Sequence, residues 1–527
     1  MIKDDLFLKT PAWQTFCMKY LVLANADLDL IRKSAADGFA VFGIYPSSIN
    51  QSQGSYLFIL KDAKEKKLVI FGEGTAYVDC EGEEQVIGGF KTKVCLMNHH
   101  HCLIIRREFP FAAPVSVLKN KRTIGLGDRL GLATPGHIRL IKQYDIAPVF
   151  AQQSIRELNL TARTYENVLD DASWAVFQEG YRGGFGADGD HLKTADEIEM
   201  ALKCGFTMIT LDCSDYIDNN VVSLADDDIE KLFACTAVSE NENLVQKYLA
   251  EKFILKNGNS IEFSQGEIKK IILTYRAAID FAISIYQKYL LDYQREVDFE
   301  ISIDETLTST SPQAHYFVAA ELIGAGVKVA TIAPRFCGEF QKGIDYIGTV
   351  NQFELEFKVH AAIADTFGYK ISIHSGSDKF AVFPIIGRET RGRYHVKTAG
   401  TNWLEAVRVI AIKAPSLYRE LHHFALESLG SARKYYHIGA DVNKIPDIDN
   451  LSDAMLSDLL NKPDSRQVLH ITYGLILSAK NADGSSRFKE RIDTLLYEYE
   501  DVYADNLIKH IGKHLADLGA LPPGNTE

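Results

Sequence analysis

The chain has 527 residues, of which 46% are hydrophobic and 24% charged, and a formal net charge of −13. That length calls for several domains or one barrel with large additions. The acidic balance excludes a nucleic-acid partner, whose binding rests on clustered Lys and Arg, and no apolar run reaches the ~20 residues of a membrane span.

The N-terminal MIKDDLFLKTPAW carries acids where a signal peptide needs a basic start and an apolar stretch, so a cytoplasmic protein is expected. Residues 1–115 read as a β-rich N-terminal domain: GFAVFGIY, SYLFIL, KLVIFGEG and KVCLMNHHHCLIIRR are strand-like segments separated by Gly, Ser, Asn and charged clusters. Beyond Lys121 the pattern becomes brief β-branched runs, each followed by a loop and a helical-period stretch. The candidate strands are Thr123–Leu126, Ala147–Ala151, Gly183–Ala187, Thr207–Leu211, Phe299–Ile303, Lys328–Ile332, Lys370–His374 and Tyr394–Lys397. Eight βα repeats predict an α/β fold, a TIM-type (β/α)8 barrel over residues 116–400 with catalytic groups at the C-terminal strand ends.

Thr134-Pro135 opens one helix, Thr194 with Glu197 three residues later caps another, and Gly326 closes a third. Residues 213–297 are too long for one crossover and carry helical periods at Glu230–Cys235, Leu244–Phe253 and Ile268–Tyr293, which predicts a helical insertion. Residues 401–527 predict a helical C-terminal extension, interrupted at Tyr435–Pro446, that wraps the barrel or covers its mouth. Eight cysteines, at positions 17, 80, 95, 102, 204, 213, 235 and 337, contain no C-x-x-C pair, so they are expected to be reduced and mostly buried.

The densest polar cluster is Gly183-Gly-Phe-Gly-Ala-Asp188-Gly-Asp190-His191-Leu-Lys193-Thr194. Its acids, imidazole and amine are costly as packing and sensible as a site. It also spells Gly184-x-Gly186-x-x-Gly189, the dinucleotide fingerprint, but Asp188 and Asp190 would repel a pyrophosphate. The fifth strand ends in Asp304-Glu305, of which the pleat turns one toward the axis. His191, His374 and His395 on separate strands, with Asp190 and Glu305 beside them, suit a divalent Zn, Mn, Fe, Co or Ni ion. Arg129, Arg335 and Lys379 are candidates for an anionic group of the substrate. His99-His100-His101 is expected on an exposed strand, where alternate residues point apart. Lys193 or Lys397 would serve a Schiff-base aldolase.

The series GADGDHLKT, GFTMITLDCSDYI, IDET, TSPQAHYFVAAEL, APRF, GEFQKGIDYIG, KISIHSGSDKF and YHVKTAGTNWLEAVR, in this order from about Arg122 to Ile476, resembles the tagaturonate epimerase family. The resemblance implies a divalent-metal epimerase that acts on a small keto-hexuronate and interconverts tagaturonate and fructuronate in hexuronate catabolism, by retro-aldol cleavage or by two-base proton transfer, between which the sequence does not choose; it leaves a homo-oligomer open. It also implies Asp190 as proton acceptor, Glu305 as proton donor and His191, His374 and His395 as metal ligands, with Asp188 able to trade with Asp190 and Asp304 with Glu305. A metal-dependent or Schiff-base sugar aldolase is the alternative on the same barrel, followed by a nicotinamide-dependent oxidoreductase and a non-catalytic sugar-binding protein.

Overall fold

The computed structural model describes residues 28–29, 31–33, 43–87, 89–236 and 239–524. The GFAVFGIY segment and Cys17 fall wholly or largely outside these residues. Strands β1 (Asn50–Ser52), β2 (Ser55–Lys61), β3 (Lys66–Phe71), β4 (Glu83–Ile87) and β5 (Phe90–Leu96) form an antiparallel sheet in the order β1-β2-β3-β5-β4. Leu57 and Ile59 of β2 and Leu68 and Ile70 of β3 recur at period two, so they share one face. That face packs on Trp174 and Phe177 of the barrel helix Tyr165–Glu179.

The segment after β5 departs from the expected strand. Asn98 accepts the His101 backbone N–H and starts a helix, His99–Glu108, so the three histidines are helical. An Asn at the N-cap followed by the helix-spaced apolar residues Cys102, Ile104 and Ile105 outweighs the β-like composition. Each imidazole is engaged locally: His99 with Asp170, His100 with the Asp79 carbonyl, and His101 with the Leu96 carbonyl and the Glu81 N–H.

The next strands are β6 (Arg122–Leu126), β7 (Ala147–Ser154), β8 (Gly186–Leu192) and β9 (Met208–Asp212). After a short hairpin of β10 (Phe253–Ile254) and β11 (Ser260–Ile261) come β12 (Asp298–Ile303), β13 (Thr331–Pro334), β14 (Lys370–Ile373) and β15 (Tyr394–Thr398). Eight of them close a parallel barrel in the order β12-β13-β14-β15-β6-β7-β8-β9. Their outward residues, such as Phe299, Ile301 and Ile303 or Ile371 and Ile373, belong to the apolar core under the helices. Their inward residues are polar: Thr210 donates to Asp188 and Glu300, Thr331 donates to Glu300, and Lys397 meets three carboxylates.

This polar interior explains two displaced boundaries. The expected Gly183–Ala187 strand runs from Gly186 to Leu192, and the expected Lys328–Ile332 strand from Thr331 to Pro334. GADGDHL carries two acids yet forms a strand, because the Lys397 ammonium and the Thr210 hydroxyl meet its inward carboxylates. The displacement also removes the dinucleotide reading: Gly186 and Gly189 lie within the strand, with no phosphate-cradling loop between strand and helix.

The expected cap of the following helix is present, with Thr194 and Glu197 bonding reciprocally. Helices Asp226–Thr236, Ser239–Leu249 and Gln265–Ile285 fill the segment between β9 and β12. The C-terminal helix Glu500–Asp517 straps the molecule together. Glu500 accepts from Tyr45 at 2.7 Å and pairs with Lys61 and Lys66 of the N-terminal sheet. Gly136 lets this helix approach Thr134–Ile141 so closely that an added Cβ would sit 2.9 Å from the Ala504 Cα. Among the described residues no helix is long and apolar enough to cross a membrane, and five of the seven described cysteines are buried, all seven being free.

Candidate active site

A cleft opens at the C-terminal ends of the barrel strands, where the loops following them converge. It encloses about 740 Å³, solvent-open space included, and its lining contains Asp190, His191, Asp304, Glu305, His374 and Lys397. The C-terminal extension supplies Tyr436 and His470, so it forms one wall of the mouth. Gly400 makes that wall possible, since a Cβ there would lie 1.6 Å from His470 Nε2.

His191, the penultimate residue of β8, has φ +55°, where the register with β9 shifts between Gly189 and Leu192. Such an irregularity re-aims a side chain, and here it turns the imidazole toward β14: the His191 and His374 rings lie 4.8 Å apart. Ligand atoms of His191, Asp304 and His374 all fall within 4.8 Å of one another. His374 Nδ1 is buried and has no hydrogen-bond partner, although Asp304 Oδ1 is only 3.2 Å away. Two donors this close but misaligned for a hydrogen bond suit two ligands of one cation. Both imidazoles are oriented from behind by carboxylates, His191 Nδ1 by Asp190 at 2.9 Å and His374 Nε2 by Glu300 at 2.8 Å. Histidine backed by carboxylate is how proteins orient metal-binding imidazoles. The donor set therefore fits a divalent ion that accepts nitrogen and oxygen ligands.

Charge in this cluster is tightly balanced. Burial disfavours the His374 cation, yet Asp304 and Glu300 on either side lift its pKa to about 10. Burial alone would raise the Asp304 carboxyl, but His374 and His191 outweigh it and hold it below its ordinary range. Asp190 is likewise held down against burial, by Lys397 and His191, whereas the deeper Asp188 is pushed up to about 7 by burial. Lys397 lies 2.8 Å from Asp188 and 2.7 Å from both Asp190 and Glu300, and the three carboxylates hold its proton against burial. A pinned ammonium is a poor Schiff-base nucleophile. Lys193 is engaged by Ser214 and Asp215.

The predicted residues divide. Asp190, His191, Glu305, His374 and Arg129 line this cleft, and Arg335 lines its outer continuation beside Asp304 and Glu305. Among the described residues Glu305 makes no hydrogen bond or ion pair; its neighbour Asp304 is the one turned toward the histidines. His395 is fully buried on β15, with Nδ1 3.0 Å from the Thr123 hydroxyl and Nε2 without a partner, and does not line the cleft. Lys379 is also fully buried, and its ammonium donates to the carbonyls of Gln341, Ile344 and Ser377, which leaves no proton for a substrate.

Sequence reasoning missed Glu300, Arg156 and Lys342. Glu300 was legible as an acid flanked by Phe299 and Ile301, on the face of β12 opposite its apolar residues. Nothing in the local sequence marks the other two.

A second cluster, Asp378, His510 and His514, brings its ligand atoms within 4.8 Å. It is better occupied as a latch. His514 Nε2 accepts the Asp378 N–H at 2.9 Å, Arg466 pairs with Asp378 at 2.8 Å, and His510 bridges Asp378 and Glu405. The Arg466 cation opposes a metal there.

Residues 45–518 match the family profile described as tagaturonate epimerase. The chain is 40% identical over 475 residues to the tagaturonate/fructuronate epimerase of Thermotoga maritima, covering 90% of this chain and 96% of that one. It superimposes on the native crystal structure of fructuronate-tagaturonate epimerase UxaE from Cohnella laeviribosi with a TM-score of 0.89 and 49% identity, covering 93% of this chain and 100% of that one. A glycerol-complexed structure of the same Cohnella enzyme gives the same TM-score and identity, with 99% of that chain covered. The chain is an enzyme of the isomerase class and belongs to the tagaturonate epimerase family.

Proposed function

We propose that this protein is a cytoplasmic, divalent-metal-dependent epimerase that interconverts tagaturonate and fructuronate in hexuronate catabolism. The observation that carries the reading is the pair of cleft carboxylates, Asp190 and Glu305, flanking the His191, Asp304 and His374 donor group in a chain of this family.

The two keto-hexuronates differ at a hydroxyl-bearing carbon β to the ketone, whose C–H bond the ketone does not acidify. Cleavage and re-formation of the neighbouring carbon–carbon bond solves that problem. Asp190 takes the proton of the β-hydroxyl, the bond to the α-carbon breaks, and its electron pair passes to the ketone fragment as an enediolate. The aldehyde fragment turns its other face, the pair returns to the aldehyde carbon, and Glu305, in the loop after β12, protonates the new alkoxide. In the reverse direction the two carboxylates exchange roles. A cation held by His191, Asp304 and His374 would supply Lewis-acid polarisation of the ketone oxygen. Lys397 keeps Asp190 ionised and in place.

Metal-stripped protein incubated with tagaturonate and Zn, Mn, Fe, Co or Ni singly, followed by NMR, tests the reading. Metal-dependent appearance of fructuronate, lost in His191→Ala, is the expected result. Turnover equal in stripped and reloaded protein would refute the metal dependence, and release of free three-carbon fragments without epimer would favour an aldolase.

A further inference from the structure

Three cationic side chains converge on one cleft wall, each from a different segment: Arg129 from the loop after β6, Arg156 from the first turn of the helix Ile155–Thr161 after β7, and Lys342 from the loop after β13. Arg129 is 3% exposed, stacks 3.8 Å over Tyr473, and gives Nε and Nη2 to Glu157. Its Nη1 is buried and has no partner among the described residues. Among the described residues Arg156 makes no hydrogen bond or ion pair, and it lies 5.4 Å over the Tyr436 ring. Lys342 uses one proton on the Ser375 hydroxyl at 2.8 Å and has two to spare.

Two carboxylates face these cations. Glu157 is consumed by Arg129; burial and the two neighbouring guanidiniums lower the Lys342 pKa, and Glu305 works against them there as it favours the charge on Arg156. Counting all five groups, this wall carries one positive charge in excess. Leaving a buried guanidinium N–H unsatisfied is costly unless something fills it, and guanidinium and ammonium donors suit a carboxylate.

We infer that Arg129 Nη1, Arg156 and Lys342 together bind the carboxylate of a sugar acid and thereby set the preference for a keto-hexuronate over a neutral ketohexose. The inference rests on the proposed function for its substrate class and names which groups select it. Lys342 is anchored to this wall by Ser375, the residue after His374. Neither Arg335 nor Lys379 is required: the first lies in the outer cleft and the second spends its protons on carbonyls.

The test uses the full-length, metal-loaded protein with Arg156→Met, Lys342→Met and the double variant, all at incompletely buried positions. Two substrates are compared, tagaturonate and the ketohexose carrying a hydroxymethyl group in place of its carboxylate. The ratio of kcat/KM for the acid over the neutral sugar is expected to fall about 30-fold in each single variant, the size of a lost charge-assisted bond, and mainly through KM. Arg156→Lys should restore part of the ratio. A ratio that stays constant while both rates fall in parallel would overturn the inference, as would a wild-type ratio near one. Failure of the functional reading looks different. If the wild type epimerises neither sugar, calorimetric binding of galacturonate against galactose reads the anion site directly. Tighter galacturonate binding, lost in the double variant, would sustain the site, and equal binding would overturn it.

Discussion

His374 Nε2 stands 2.8 Å from Glu300 Oε1, and the same oxygen lies 2.7 Å from Lys397 Nζ. Glu300 thus touches the donor group from one side and the barrel's buried cation from the other, without lining the cleft itself. Because it fixes the imidazole whose Nδ1 would face a bound cation, Glu300→Gln is expected to weaken metal binding about 10- to 100-fold while the fold is retained. A chelator competition titration with zinc, alongside circular dichroism, measures both. Unchanged zinc affinity would assign Glu300 to charge balance alone.

Asp304 and His395 compete for the third ligand position. Asp304 reaches His374 and His191, whereas His395 is held on Thr123 outside the cleft. Asp304→Asn is therefore expected to lose bound metal by elemental analysis, and His395→Gln to keep it. The opposite pattern would place the ion deeper, on the unpartnered Nε2 of His395.

Carbon–carbon cleavage leaves the C–H bond at the epimerised carbon intact. Turnover in D2O should therefore give product with hydrogen retained there, read by proton NMR. Deuterium at that carbon would replace the cleavage route by proton abstraction between the same two carboxylates.

Four histidines outside the cleft are buried and kept neutral. Burial lowers each of His137, His360, His422 and His514 from 6.5 to about 4. Between those values the unfolded chain binds protons that the folded one refuses, so stability is lost as pH falls from 6.5 toward 4. Neither ring nitrogen of His422 has a hydrogen-bond partner, and its ring packs edge-on against Tyr418. His422→Phe is expected to reduce the stability lost between pH 7 and pH 5 by about 2 kcal/mol, from the shift of its titration. Urea unfolding at both pH values measures this, and taking the difference cancels the packing change. A loss equal to that of the wild type would show that His422 does not carry it.

The amino-acid sequence by itself determined the barrel, because Phe299, Ile301 and Ile303, and Ile371 and Ile373, follow the period of the strands that bury them under helices. It also determined the motifs that bring Asp190, His191, Glu305 and His374 to strand ends, since a residue's place along a strand is a local property. It misplaced GADGDHL, a strand whose acids are stabilised by Lys397, 207 residues away from Asp190. The histidine run became a helix because of the Asn98 cap and the buried Cys102, Ile104 and Ile105 that follow it. Only the tertiary structure decided which of two adjacent acids, Asp304 or Glu305, faces the histidines, that Lys379 is spent on carbonyls, and that Arg156 and Lys342 meet Arg129. Those outcomes depend on distances between elements far apart in the chain. Barrel closure and the C-terminal strap set these distances, and no local pattern of residues encodes them.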